Sequence, residues 1–429
     1  MIHELTASEA AARMRAGELT SEALVEACFE RIDAREPTVG AWQHLAREQA
    51  LDEARAADRV PPHGALHGVP IGVKDIFDTF DMPTALGSPI YAARRPASDA
   101  ACVAAARAAG AIVIGKTVTT EFASYHAGKT RNPHDSRRTP GGSSSGSAAA
   151  VADFMVPIAF GTQTAASITR PAAFCGVLGY KASFGECSLS GVRALAQSLD
   201  TLGIFARSTA DIALMRGVLL GGGGHLDALT TPPRLGLCPT PQWSSTQPAS
   251  REALRVAVER LRARGAHIAD VVLPASFDAL VDAQQTIMTY ETARNYVFEM
   301  TRYEDRLSAS FRSICEAGMR IDRDAYLAAR RRVAAGAARF PDALGDCDAL
   351  ITPATLGEAP LLEAGTGDPL MSRIWTALGV PTLAVPVPRA QRSLPVAVQI
   401  IGAADADAQL LALGGWVTDA LAADISHRV

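Results

Sequence analysis

Short apolar runs with strand character alternate with longer amphipathic runs of helical period, and this alternation persists to the C-terminus. Val69, Ile71 and Val73 alternate with smaller residues and end at Lys74 and Asp75. AIVIGKT, the middle of VADFMVPIAFGTQT, RLGLC, HIADVVL, DALITPA, TLAVPV and VAVQIIG follow as further strands. Alternating or continuous apolar runs of this length read as strands, and periods of three to four as helices. Helical patterns fill residues 20–35, 46–59, 99–109, 209–220, 250–264 and 279–340, with a last helix from Ala406. Thr6 with Glu9 makes a capping box. Such a sequence predicts an α/β fold, a central mostly parallel mixed sheet with helices on both faces. GGGGH at 221–225 is the best linker. The last strands are too few to form a core of their own. One domain over 1–429 is therefore expected, with a helical segment over 1–60, a core over 61–220 and a part over 234–429 that completes the same sheet.

Charge narrows the function classes. A net charge of -4 gives no electrostatic footprint for nucleic acid or an anionic membrane. The densest basic run, Arg330 to Arg332, reads as a solvated helix face. The seven cysteines have no CxxC or metal-type spacing and read as buried reduced thiols. The N-terminus lacks the basic and apolar regions of a signal peptide, and no apolar run has the roughly 18 residues of a membrane span. A cytoplasmic protein is the expectation.

Two literal motif matches fail on context. GAIVIGKT, from Gly110 to Thr117, fits GxxxxGK[ST], but its central residues are an apolar strand and not a phosphate-wrapping loop. GSSSG, from Gly142 to Gly146, fits GxSxG around Ser144. A nucleophile elbow needs a strand directly before it, and NPHDSRRTPG precedes this one.

A third constellation draws on more of the chain. Lys74 ends an apolar strand, a serine run follows a polar loop, and GTQTAASITRPAAFCG follows another strand and contains Ser167. Consecutive N–H groups from Thr164, Ala165 and Ala166 can gather on an oxyanion. The blocks LHGVPIGVKDIFDT, GKTVTTEFA, RTPGGSSSGSAAAVA, GTQTAASITRPAAFCGVLGYK and SLDTLGIFARS together resemble the amidase signature family, densely from Leu66 to Ser208. GVPTLAVP and LPVAVQIIG extend the likeness towards the C-terminus. The resemblance implies the amidase signature fold and a Ser–cis-Ser–Lys triad. Its motif positions fall on Lys74 as base, Ser143 as bridge and Ser167 as nucleophile, with 143 + 24 = 167 as the family-like gap. It also implies a cis peptide at Gly142–Ser143, an oxyanion hole from N–H groups of Thr164, Ala165, Ala166 and Ser167, and a homodimer.

The residue types suit that chemistry. A serine hydroxyl needs a base. A lysine serves only when neutral, so its ordinary pKa of about 10.4 must fall on burial. A serine between the two can donate and accept together and relay the proton. The implied reaction is hydrolysis of a small amide through an acyl-enzyme, without metal or organic cofactor. The amidase component of a tRNA-dependent amidotransferase and a silent binding protein on the same fold are the alternatives, the first disfavoured by the chain's length.

Departures from the family pattern sharpen the expectations. Ala165 and Ala166 replace two glycines, which is tolerable only if neither needs positive φ. Ala166 narrows the site towards small acyl groups. Arg170 lies three residues after Ser167, and GTQT with a later Arg-Pro resembles the malonamidase-like branch. Arg170 binds a substrate carboxylate or else pairs locally. Gln163 stands where Asp is common and removes an anion. Ser144 and Ser145 are expected to hold the strained loop by hydrogen bonds, and Ser144 is the one expected to approach and bind substrate. Glu121 and Asp200 read as structural, and Tyr125 and Arg131 are further candidates for facing substrate.

Overall fold

Strand alternation divides the apolar side chains between two layers. Val113, Ile158, Phe160, Ile204, Leu383 and Val385 enter one core, while their neighbours Ile112, Ile114, Ala159, Phe205 and Ala384 enter another. A sheet apolar on both faces needs a cover on each side, and helices supply it in this computed structural model, which describes residues 1–222, 224–389 and 393–423. The first core takes in residues of the helices Ala101–Ala108, Thr209–Leu220, Pro248–Ala263 and Asp407–Ala422. The second takes in Ser21–Val39, Ser145–Ala152 and Thr169–Cys175. It is rich in alanine, with Ala148, Ala149, Ala150, Ala172 and Ala173 facing Ala159 and Ala384. Small side chains let those two short helices lie close on the sheet.

The strands are β1 (Trp42–Leu45), β2 (Pro70–Lys74), β3 (Ile112–Thr117), β4 (Ile158–Gln163), β5 (Leu178–Lys181), β6 (Thr201–Ala206), β7 (Arg234–Leu237), β8 (His267–Asp270), β9 (Ala349–Pro353), β10 (Thr382–Pro386) and β11 (Ala397–Ile401). They form one 11-stranded sheet in the order β1-β3-β2-β4-β6-β5-β10-β11-β9-β7-β8. The mixed α/β sheet flanked by helices is as expected, but its balance is not mostly parallel. Six of the ten pairings are antiparallel and four parallel. The reason is local. β10 and β11 are joined by residues 387–396, too short for the crossover that parallel strands require. β6, hidden in SLDTLGIFARS, runs against both β4 and β5.

GAIVIGKT forms the buried strand β3, so the phosphate-loop match has no loop. Gly221 caps the helix Thr209–Leu220 in the left-handed region, and Gly223 lies outside the described residues. Beyond it β7 joins the same sheet. The long helical stretch is four helices, Leu280–Asn295, Val297–Arg302, Ala309–Arg320 and Arg323–Leu344. No helix among the described residues is long and apolar enough to cross a membrane.

Candidate active site

β2 and β4 run parallel and adjacent, with Val73 opposite Phe160. Their C-terminal ends therefore open on one edge of the sheet, where α/β folds place ligands. Lys74 ends β2 and Thr162 and Gln163 end β4. Lys74 is fully buried. Its Nζ donates to Ser143 Oγ at 2.8 Å and to Thr162 Oγ1 at 2.9 Å. Burial pushes its pKa down to about 7, against the raising effect of the nearby Asp200 carboxylate.

The serine run is fastened on every side. The Gly142–Ser143 peptide is cis. The Ser143 carbonyl accepts the Thr120 N–H at 3.2 Å, and the Gly142 carbonyl accepts Arg170 Nη2 at 2.7 Å. Ser144 is fully buried and exchanges hydrogen bonds with the Thr162 backbone at 3.3 Å. These contacts brace the serine run, one of the two roles read for Ser144 from the sequence. Ser145 donates to Val118 O at 3.2 Å and Ser147 to Phe160 O at 2.8 Å. Gly146 is required by proximity, because a Cβ there would sit 2.2 Å from the Ala41 carbonyl oxygen.

Ser167 lies on the turn between β4 and the helix Thr169–Cys175, 7% exposed. It faces a small pocket whose wall also includes Tyr125, Thr164, Ala165, Arg170 and Met288. Among the described residues no hydrogen bond joins Ser143 to Ser167. The turn before Ser167 is held by its carbonyls. Thr164 O accepts Gln284 Nε2 at 2.8 Å, Ala165 O accepts Thr376 Oγ1 at 2.8 Å, and Ala166 O accepts the Arg170 N–H at 3.0 Å. Among the described residues the N–H groups of Ala165, Ala166 and Ser167 have no partner, so they remain available to a ligand. Ala165 and Ala166 are not among the positive-φ residues, so alanine is tolerated at both.

Gln163 is a local clamp. Its Oε1 accepts the Ile168 and Thr169 N–H groups at 2.9 and 3.1 Å, and its Nε2 donates to Thr376. Asp200 accepts the Thr164 hydroxyl and the Leu195 and Ala196 N–H groups, and burial pushes its pKa up to about 6. Glu121 accepts from Ser308, the structural role expected. Arg131 is exposed and donates to Ser136 O, away from the pocket wall. Arg170 is buried, with Nη1 on Gly367 O, Nη2 on Gly142 O and Nε without a partner among the described residues. Burial pushes its pKa down to about 10.

Thr162, Gln284, Arg373 and Thr376 were not anticipated from sequence. Arg373 and Thr376 sit on the helix Leu370–Ala377. A charged residue at the centre of that apolar segment was the available signal.

The site thus holds a strand-end lysine bonded to one serine and a second serine on a pocket wall, all on an α/β sheet. The family model described as Amidase matches residues 23–411, and the chain belongs to that family, the amidase signature proteins. Its relatives include a glutamyl-tRNA(Gln) amidotransferase subunit of Chloroflexus aggregans, 35% identical over 96% of both chains. The corresponding protein of Syntrophus aciditrophicus is 32% identical over 96% of both. Among solved structures, one described as an amidase superposes with a TM-score of 0.90 at 32% identity, covering 97% of this chain and 100% of that one. The native peptide amidase of Stenotrophomonas maltophilia gives 0.85 at 28%, covering 98% and 97%. The amidotransferase proteins are thus matched across nearly their whole length, and the chain's length does not speak against that likeness.

Proposed function

We propose that this chain is a serine amidohydrolase that cleaves the C–N bond of a small amide through an acyl-enzyme on Ser167. The observation that carries the reading is the fully buried Lys74, its Nζ 2.8 Å from Ser143 Oγ. A lysine whose pKa is near neutrality can accept a proton. Neutral Lys74 takes the Ser143 proton while Ser143 takes that of Ser167, and Ser167 Oγ bonds to the amide carbonyl carbon. The oxygen becomes an oxyanion facing the unpartnered N–H groups of Ala165, Ala166 and Ser167, with Thr164 held by Asp200 at the head of the turn. The proton returns through Ser143 to the leaving nitrogen as the C–N bond breaks. Water then repeats the sequence on the ester and releases the acid. Arg170 is the partner for a carboxylate on the substrate, through the Nε that has no acceptor.

Ammonia release from a panel of small amides tests the reaction, with and without a carboxylate. A fluorophosphonate probe should add one adduct to the wild-type chain and none to Ser167→Ala. Labelling that survives in the variant would remove Ser167 as nucleophile. The likeness to amidotransferase proteins supports a second reading, in which the same chemistry supplies ammonia to a partner protein. Amide hydrolysis that requires a co-purifying protein would favour it.

A further inference from the structure

Arg170 lines the pocket, and Arg373 stands behind it, bonded to the pocket residue Tyr125. Arg170 is 3% exposed and Arg373 is 6% exposed. Among the described residues neither has a carboxylate oxygen within 4.0 Å. Asp368, whose charge reaches Arg170, is itself exposed. All four recorded acceptors are neutral, Gly367 O and Gly142 O for Arg170, and Gln284 Oε1 and Tyr125 Oη for Arg373. Burying a cation without a counter-charge is costly, so the arrangement favours arrival of an anion.

Tyr125 is the group through which Arg373 reaches the pocket. A phenol has one proton and accepts at its oxygen. Arg373 Nη2 donates to that oxygen at 2.8 Å. Among the described residues the Tyr125 proton has no acceptor, and Tyr125 lines the pocket together with Ser167 and Arg170. The ring packs against the cluster of Ala165 and Met288. The other arm of Arg373 holds Gln284 Oε1, and Gln284 Nε2 holds Thr164 O at 2.8 Å. Phe122 and Ala123, just before Tyr125, have φ of 48° and 60°. Side chains other than glycine rarely adopt that region, and the strain here sets the path of the loop that presents Tyr125.

We infer that the Tyr125 hydroxyl is a specificity-determining donor that reads a carboxylate on the amide substrate, and that Arg373 is a positioning residue acting through it. The inference rests on the proposed amidase reading and deepens it by naming a half-amide, with an amide at one end and a carboxylate at the other, as the substrate class. Arg373 occupies the acceptor side of the phenol, so the proton is left to point at the ligand. Its charge also polarises the O–H bond towards an anion.

The test separates binding from chemistry. Succinamic acid and its neutral diamide, succinamide, are titrated calorimetrically into the Ser167→Ala chain, which does not turn them over if Ser167 is the nucleophile. A hydrogen bond to a charged group is worth enough for a change on the order of tenfold. Tyr125→Phe in that background should weaken succinamic acid about tenfold more than succinamide. Arg373→Lys should do the same alone and add little once Tyr125 is Phe. Equal losses for the two ligands, or none, would overturn the assignment of Tyr125. Additive losses would overturn the relay. Failure of the wild-type chain to hydrolyse any amide would instead strike the proposed reaction, because the binding comparison does not depend on turnover.

Discussion

Among the described residues Lys74 has two hydroxyls and no carboxylate in hydrogen-bond contact, and this neutral setting lets burial take its pKa to about 7. A base that must be neutral gains activity as pH rises through that value. kcat/KM should therefore climb with an apparent pKa near 7, and a limb near the ordinary lysine value would rule Lys74 out as the base. Asp200 raises the Lys74 pKa, so Asp200→Asn should move the limb to lower pH. The two groups titrate together, and the limb belongs to the pair. A pH–rate profile of both proteins checks the sign. At this scale Lys74, Ser143 and Ser167 were legible as motif positions, while Thr162 was not. Its block gave it a place on a strand, but only the parallel register of β2 and β4 puts its hydroxyl on Lys74 Nζ. Arg170 was legible as polar and near the site. Its hold on the Gly142 carbonyl arises from a fold-back across 28 residues, which no local pattern encodes.

Elements position these side chains by close approach. The helix Ser145–Ala152 follows the serine run and lies flat on the sheet because its residues are small. Gly146 is the tightest point, where a Cβ would also meet the Val118 nitrogen at 2.4 Å. Both obstacles are backbone atoms, which cannot swing aside. Gly146→Ala should cost at least about 1–3 kcal/mol, the range for overpacking a filled core. It should also lower probe labelling of Ser167, because the start of the helix carries Ser143 with it. A denaturant midpoint equal to that of the wild-type protein would contradict this. Most strands and helices were readable from period alone. The helix Leu370–Ala377 was missed because the nine residues between Pro369 and Gly379 give little room for periodicity, although Met371, Ile374 and Trp375 are spaced for one face.

The whole molecule joins two halves through the middle of one sheet. β5 pairs with β10, so the strands read as a motif-rich core and those near the C-terminus share a ladder. Across that seam the C-terminal half supplies Thr376 to Ala165 O and Arg373 to Tyr125. The turn bearing Ser167 therefore takes its shape from a residue more than two hundred positions away, and the family blocks, dense over 66–208 and resumed only at Gly379, skip the helix that carries it. We propose on this basis that 1–429 folds as a single unit and that the glycine-rich connection after Leu220 is a surface crossing within it. A piece ending at Leu220 would leave β5 as an open edge, an invitation to aggregate, and would lose every donor on the helix Leu370–Ala377. It should not label with a fluorophosphonate. A chain nicked by protease in residues 221–233 should keep both halves together on a sizing column and keep labelling, since the cut severs no ladder. Labelling by the isolated 1–220 piece would show that the C-terminal half is dispensable to the site and would overturn the single-unit view.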